Sequence, residues 1–203
     1  MLCHLLSFEG IILLNNSGII KPQSTMPTEI GQLSNVITAS FFYNSLTGTI
    51  PTEVGMLSSI RNFEVNFNSF TGTIPSEIGS MKQLHDLDLY ENQLEGAIPT
   101  ELGKLENLIN LELHNNALTG TLPTELGKLS SLQKLELYKN SLQGSIPKTY
   151  LMMRNLNYVD ITWENNITNL DTLCNIEDLT IWIYCGQEIY SANSCNCCEC
   201  WQL

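Results

Sequence analysis

The chain is short of cations. Nine Lys and Arg stand against 21 Asp and Glu in 203 residues, a formal net charge of −12. Nucleic acid is thereby excluded as a partner, because phosphates need a cationic face, and docking on anionic lipid is disfavoured for the same reason. Long apolar runs are also missing. The longest, such as Ile11-Ile12-Leu13-Leu14, fall far short of the roughly 20 residues that cross a bilayer, so no membrane span is expected. The three histidines, His4, His85 and His114, have no neighbouring Ser or Cys in a nucleophile motif. There is no glycine-rich phosphate loop, no Gly-x-Ser-x-Gly elbow and no kinase signature set. The expectation is a protein that is not an enzyme and takes no cofactor.

What the chain does have is a period. Gly48-Thr-Ile-Pro51, Gly72-Thr-Ile-Pro75, Gly96-Ala-Ile-Pro99, Gly120-Thr-Leu-Pro123 and Gly144-Ser-Ile-Pro147 recur every 24 residues, and Ser24-Thr-Met-Pro27 adds an earlier unit in register. A fixed period of this size means a stacked repeat architecture. Within a unit, Leu87 and Leu89 alternate with Asp86, Asp88 and Tyr90, so one face of a short strand is buried and the other exposed. From Pro75 to Gly79, Pro stands where a helical turn can begin and Gly where one can end. No unit can bury its leucines alone. Stacking them gives a continuous core, a parallel sheet on one side and short helical or 3-10 turns on the other.

These units resemble the plant-type leucine-rich repeat family, whose unit is close to LxxLxLxxNxLxGxIPxxLGxL. The third unit reads GTIPSEIGSMKQLHDLDLYENQLE and the fifth GTLPTELGKLSSLQKLELYKNSLQ. The resemblance covers residues 24–168 and implies an α/β fold, a right-handed solenoid with its parallel sheet on the concave face. Three parts are expected. Residues 1–23 form a degenerate or truncated first repeat, residues 24–168 form six repeats, and residues 169–203 form a Cys-rich C-terminal cap. Asn44, Asn68, Asn92, Asn116 and Asn140 also recur at 24. Family geometry implies that their amides form an inward ladder serving the turn after each strand. The last unit departs, with Asn165 one residue late.

Cys174, Cys185, Cys195, Cys197, Cys198 and Cys200 crowd the last 30 residues, while Cys3 stands alone. Such a cluster reads as disulfides formed in an oxidising compartment, with a zinc site on the tail as the alternative. The tail also resembles algal and diatom leucine-rich repeat proteins. Sequons at Asn15 and Asn166 fit a secreted or cell-surface protein. Residues 1–6 have no cationic start, so a truncated beginning or another export route is expected. Glu29, Glu53, Glu77, Glu101 and Glu125 follow the Pro of each unit, where a turn's positive end favours them, and are expected to face solvent.

The candidate ligand-binding residues lie on the exposed side of the strands. Glu64, Asp88, Glu112, Glu136 and Asp160 occupy one position in five consecutive units, following Ser40. Neighbouring acids about 4.8 Å apart repel by roughly 0.8 kcal/mol even in water, so stability alone would not select this stripe. Two residues on come Phe42, Asn66, Tyr90, His114, Tyr138 and Thr162, flanked by Tyr43, Phe67 and Trp163. Exposed aromatics beside a polar stripe suit a binding surface. Resemblance to receptor-kinase ectodomains and secreted hydrolase inhibitors implies a protein or peptide ligand, which the acids would make basic. The competing expectation is a structural wall, adhesion or ice-associated protein whose working surface is the repeated Thr47-Gly-Thr49 and Thr71-Gly-Thr73 pattern.

Overall fold

The structure, a computed structural model, describes the backbone of residues 6–7, 10–12, 24–161, 164–176, 180–185 and 188–192. Side chains are described for residues 24–161, 164–170, 172–173 and 176. Each unit contributes an inner strand of three residues, an outer strand and a five-residue 3-10 helix. One consecutive set is Ser76–Ser80, Asp86–Asp88 and Gln93–Ala97, in the order 3-10 helix, inner strand and outer strand.

The inner strands stack in parallel without slipping, with Asp86 opposite Asn110, Leu87 opposite Leu111 and Asp88 opposite Glu112. The same register joins Thr38–Ser40, Asn62–Glu64, Asp86–Asp88, Asn110–Glu112, Lys134–Glu136 and Tyr158–Asp160. Slippage would turn every leucine outward. Leu87, Leu89, Leu111, Leu113, Leu135 and Leu137 are all fully buried. Beyond Tyr158–Asp160 the sheet continues through Thr180–Cys185, which pairs antiparallel with Glu188–Ala192. That hairpin occupies the edge that a further repeat would otherwise extend.

A second parallel sheet, which one strand per unit did not anticipate, runs through Thr47–Gly48, Ser69–Thr73, Gln93–Ala97, Ala117–Thr121, Ser141–Ser145 and Asn166–Thr168. It includes the Thr-Gly-Thr segments. Gln93–Ala97 and Ala117–Thr121 each bury a single leucine, Leu94 and Leu118, and leave the rest exposed or half-buried. The apolar alternation that identifies a strand is therefore weak in this part of the unit. Gly72 lies in one of these strands at φ +73, left-handed backbone that a side chain rarely adopts.

The expected 3-10 turns begin where proline sets them. Pro75 is extended at φ −63, ψ 129 and precedes Ser76–Ser80. Glu77 is exposed as expected, but Glu53, Glu101 and Glu125 are half-buried, because each helix packs on its neighbour. The glycine near the helix end faces the next unit's helix start, Gly79 against Glu101, Gly103 against Glu125 and Gly127 against Thr149, so it is required for close approach as well as for ending a turn.

The asparagine ladder is present. Asn92 Nδ2 donates to the carbonyls of Val65 (3.0 Å) and Leu89 (3.1 Å), and its Oδ1 accepts from Phe70 N–H (3.0 Å). Each rung thus ties the backbones of two adjacent units together. Asn165, although one residue late, makes the same set with Leu137, Ile161 and Leu142. The turn absorbs the extra residue, and the left-handed position moves with it from Lys139 in the preceding unit to Glu164.

Candidate functional site

The chain leaves each inner strand through a left-handed residue: Tyr43, Phe67, Glu91, Asn115 and Lys139, with φ between 51 and 54. Repetition of this turn brings the aromatic positions into a row. Tyr43 stacks on Phe67 with ring centroids 4.1 Å apart, and Phe67 meets Tyr90 edge-on at 5.3 Å. His114 lies between Tyr90 and Tyr138, parallel to both at 4.4 Å. Phe42 closes the row edge-on against Tyr43 at 6.0 Å.

The row corrects one expectation. His114, expected on the exposed side, is 6% exposed, because the flanking tyrosines cover both faces of its ring. Tyr90 and Tyr138 are half-buried, while Phe42 (38% exposed) and Tyr43 (53%) are open to solvent. The stack is thus partly a structural spine. Trp163 lies outside the described residues.

The acidic stripe is likewise no bare row of charge. Ser40 Oγ donates to Glu64 Oε2 at 2.7 Å. Asp86, in the neighbouring column, receives hydrogen bonds from the amides of Asn62 and Asn110. Lys134 Nζ reaches Glu112 Oε1 at 2.8 Å and Glu136 Oε2 at 3.2 Å, and it stands 5.6 Å from the centre of the Tyr158 ring. Glu136 is itself buried, at 7% exposure, which the stripe reading had not expected. Lys134 was missed because it compensates the stripe diagonally, from a column two residues away and from a different unit. Comparing Asn62, Asp86, Asn110, Lys134 and Tyr158 as a column would have found it. Asp160 continues the stripe, in register with Glu136.

Burial and like charge shift the titrating groups. Burial, then Glu112, Glu64 and Asp86, push Asp88 up to about 7, and its Oδ1 has no hydrogen-bond partner. Burial raises Glu136, with Glu112 adding to it and Lys134 opposing. Burial alone would lower Lys134, but bonding to Glu112 and Glu136 outweighs it and raises the net value. Tyr90 and Tyr138 are pushed up to about 12, first by burial and then by nearby carboxylates. Burial, with Lys134 and Lys139 adding, lowers His114 to about 4, so the ring is neutral at physiological pH. Its Nδ1 lies 3.3 Å from Glu136 Oε2 but is not aligned for a hydrogen bond.

Asp88 has a measurable consequence. Folded, it holds a proton up to about pH 7, whereas its ordinary value is 3.8. Between those values folding takes up a proton, so this residue's contribution to stability falls as pH rises. Each unit corresponds to about 1.4 kcal/mol, and its partial exposure reduces the whole effect to on the order of 2 kcal/mol. Asp88→Asn is therefore expected to raise the denaturation midpoint at pH 8 and change little at pH 4.5. Urea titrations at the two pH values check this, and a destabilised variant at pH 8 contradicts it.

Comparison with known proteins agrees with the repeat geometry. The "Leucine Rich Repeat" family profile matches residues 83–105 and 107–129. The ectodomain of the Arabidopsis thaliana receptor kinase GASSHO1/SCHENGEN3, solved with CASPARIAN STRIP INTEGRITY FACTOR 2, is 36% identical over 78% of this chain, with a TM-score of 0.73. The chain is a plant-type leucine-rich repeat protein. A second similar structure, the plant peptide hormone receptor RGFR1 in complex with RGF2, gives 36% identity over 79% of the chain and a TM-score of 0.76. A plant ice-binding protein gives 25% identity over 79% of the chain and a TM-score of 0.68. This leucine-rich repeat protein spans 19% and 26% of the two receptor chains and 60% of the ice-binding protein. No curated protein matches it by sequence. Among the described residues no helix is long and apolar enough to cross a membrane.

The remaining candidates are placed only in part. Asn166 is exposed at the start of an outer-sheet strand, and Asn15 lies outside the described residues. Cys174 falls in the 3-10 helix Leu170–Asn175 and Cys185 ends the strand Thr180–Cys185, with side chains outside the described set. Cys195, Cys197, Cys198 and Cys200 lie wholly outside it.

Proposed function

We propose that this protein is a non-enzymatic recognition module, secreted or at the cell surface, that binds an extended peptide carrying positive charge along its concave face. One observation carries the reading: a row of stacked aromatic rings, open to solvent at Phe42 and Tyr43, runs beside carboxylates at Glu64, Asp88, Glu112, Glu136 and Asp160. Aromatic rings bury large area at small entropic cost, and the acids supply attraction and register. The similarity to a plant peptide hormone receptor supports a peptide as the ligand. The six cysteines from Cys174 to Cys200 are assigned to disulfides, and Asn15 and Asn166 to glycosylation, in keeping with an extracellular protein.

The matrix or ice-associated reading rests on the threonines of the outer sheet. Thr71 and Thr73, however, pair with Gln93 and Glu95, and Thr119 pairs with Ala97 and Ser141. The threonine array is thus interrupted at Glu95-Gly-Ala97 and again at Gln143-Gly-Ser145, which favours the concave face.

Selection of a displayed library of linear peptides against the full chain tests the proposal. The selected peptides should be enriched in Lys and Arg, and their binding should weaken steeply as salt is raised. Neutral or acidic selected peptides with salt-independent binding would overturn it.

A further inference from the structure

The concave face brings together three metal-ligating side chains from two columns of the repeat. Glu112 and His114 are two residues apart on one inner strand and its exit. Glu136 is opposite Glu112 on the next strand. One donor atom from each lies within 4.8 Å of the other two. The histidine side chain is 8% exposed, its Nδ1 has no hydrogen-bond partner, and that nitrogen lies 3.3 Å from Glu136 Oε2. Two donors on one zinc ion, at about 2.1 Å each and in tetrahedral geometry, stand about 3.4 Å apart. The His114–Glu136 separation is therefore that of two ligands sharing an ion, rather than of a hydrogen-bonded pair.

From this geometry we propose that Glu112, His114 and Glu136 form a binding site for a divalent first-row transition-metal ion. An imidazole nitrogen among carboxylates selects such ions over Mg²⁺ and Ca²⁺, which prefer oxygen alone. A cation already occupies the carboxylate side of the site, since the Lys134 ammonium contacts both glutamates. Lys134 is one-third exposed, so its flexible stem allows the ammonium to swing outward when an ion enters. A hydrogen bond between Tyr158 and Glu136 orients one ligand from outside, and the Tyr90 and Tyr138 rings fix the imidazole plane. Metal bound here would occupy the middle of the acidic stripe. The site does not depend on any peptide being recognised.

Cobalt(II) titration of the full chain, followed by visible absorption, tests the site. The parent should bind one ion with weak d–d bands, displaceable by Zn²⁺ and not by Mg²⁺. Intense near-ultraviolet charge-transfer absorption would instead report thiolate ligation by the C-terminal cysteines. His114→Phe keeps a ring in the stack and removes the nitrogen, and it should weaken binding by about a hundredfold or more. Glu112→Gln, outside the aromatic row, should give a similar loss and guards against a folding defect in the first variant. Lys134→Gln should act in the opposite direction, tightening binding about tenfold as the competing ammonium is removed. Unchanged cobalt bands in both ligand variants, only thiolate absorption, or no binding by the parent at millimolar cobalt would each overturn the proposal.

Discussion

Gly103→Ala is expected to unfold the central repeats, at a cost of more than about 3 kcal/mol, beyond the usual range for an overpacked side chain. A methyl group at Gly103 would be driven into the carbonyl oxygen of Glu125, and into its carbonyl carbon at 2.6 Å. Backbone is the obstacle, so no rotamer change relieves it. The 3-10 helices of adjacent units would have to separate, and that interface is part of what holds Leu102, Leu126 and Leu129 in the core. Because each repeat contacts chiefly its neighbours, the damage should split the stack at this point rather than weaken it evenly. Circular dichroism melts should show a lower or biphasic transition for Gly103→Ala. The exposed control Lys104→Ala should melt like the parent. Coincident melts of Gly103→Ala and the parent would contradict the close packing.

Asn92→Ala should be nearly as damaging, at on the order of 3 kcal/mol, because several buried backbone groups lose their partner together. Phe70 N–H loses its acceptor, and the carbonyls of Val65 and Leu89 lose a donor. No neighbouring side chain replaces this amide. The turn that places Tyr90 and Glu91 is held by the same amide, which also contacts the Tyr90 carbonyl at 3.2 Å. Urea denaturation checks the magnitude, and a loss below about 1 kcal/mol would mean that water replaces the rung at little cost.

Much of this architecture is legible in the sequence because a 24-residue period leaves little freedom. Leu87 and Leu89 define the inner strand, Pro75 the start of the turn, and Asn92 the ladder. Gln93–Ala97 is harder to read as a strand, since Leu94 is its only buried side chain and its hydrogen bonds to the next unit leave no mark on residue type. Side-chain environment is less legible than strand position. Parity places His114 on the concave side, but only the lateral spacing of Tyr90 and Tyr138 shows that its ring is covered. The acids appear as a repulsive column until Lys134 and Ser40 are placed beside them. Such contacts run between units and across columns, where a single-position comparison does not look. Asn165 shows the opposite case: a one-residue displacement that looks like a broken repeat is absorbed by the turn, and the rung survives.

Recognition on the concave face is tested most directly by charge reversal on the two sides of the solenoid, using one peptide selected on the parent chain. Glu64→Lys and Asp160→Lys alter the inner stripe, whereas Glu77→Lys and Glu29→Lys make the same change in net charge on exposed positions of the 3-10 helices. Isothermal titration should show affinity falling about tenfold or more for each inner variant and less than about twofold for each outer one, since short-range pairing acts only where the peptide lies. Equal losses on both sides would reduce the interaction to net charge, and losses confined to Glu77→Lys and Glu29→Lys would place recognition on the opposite surface.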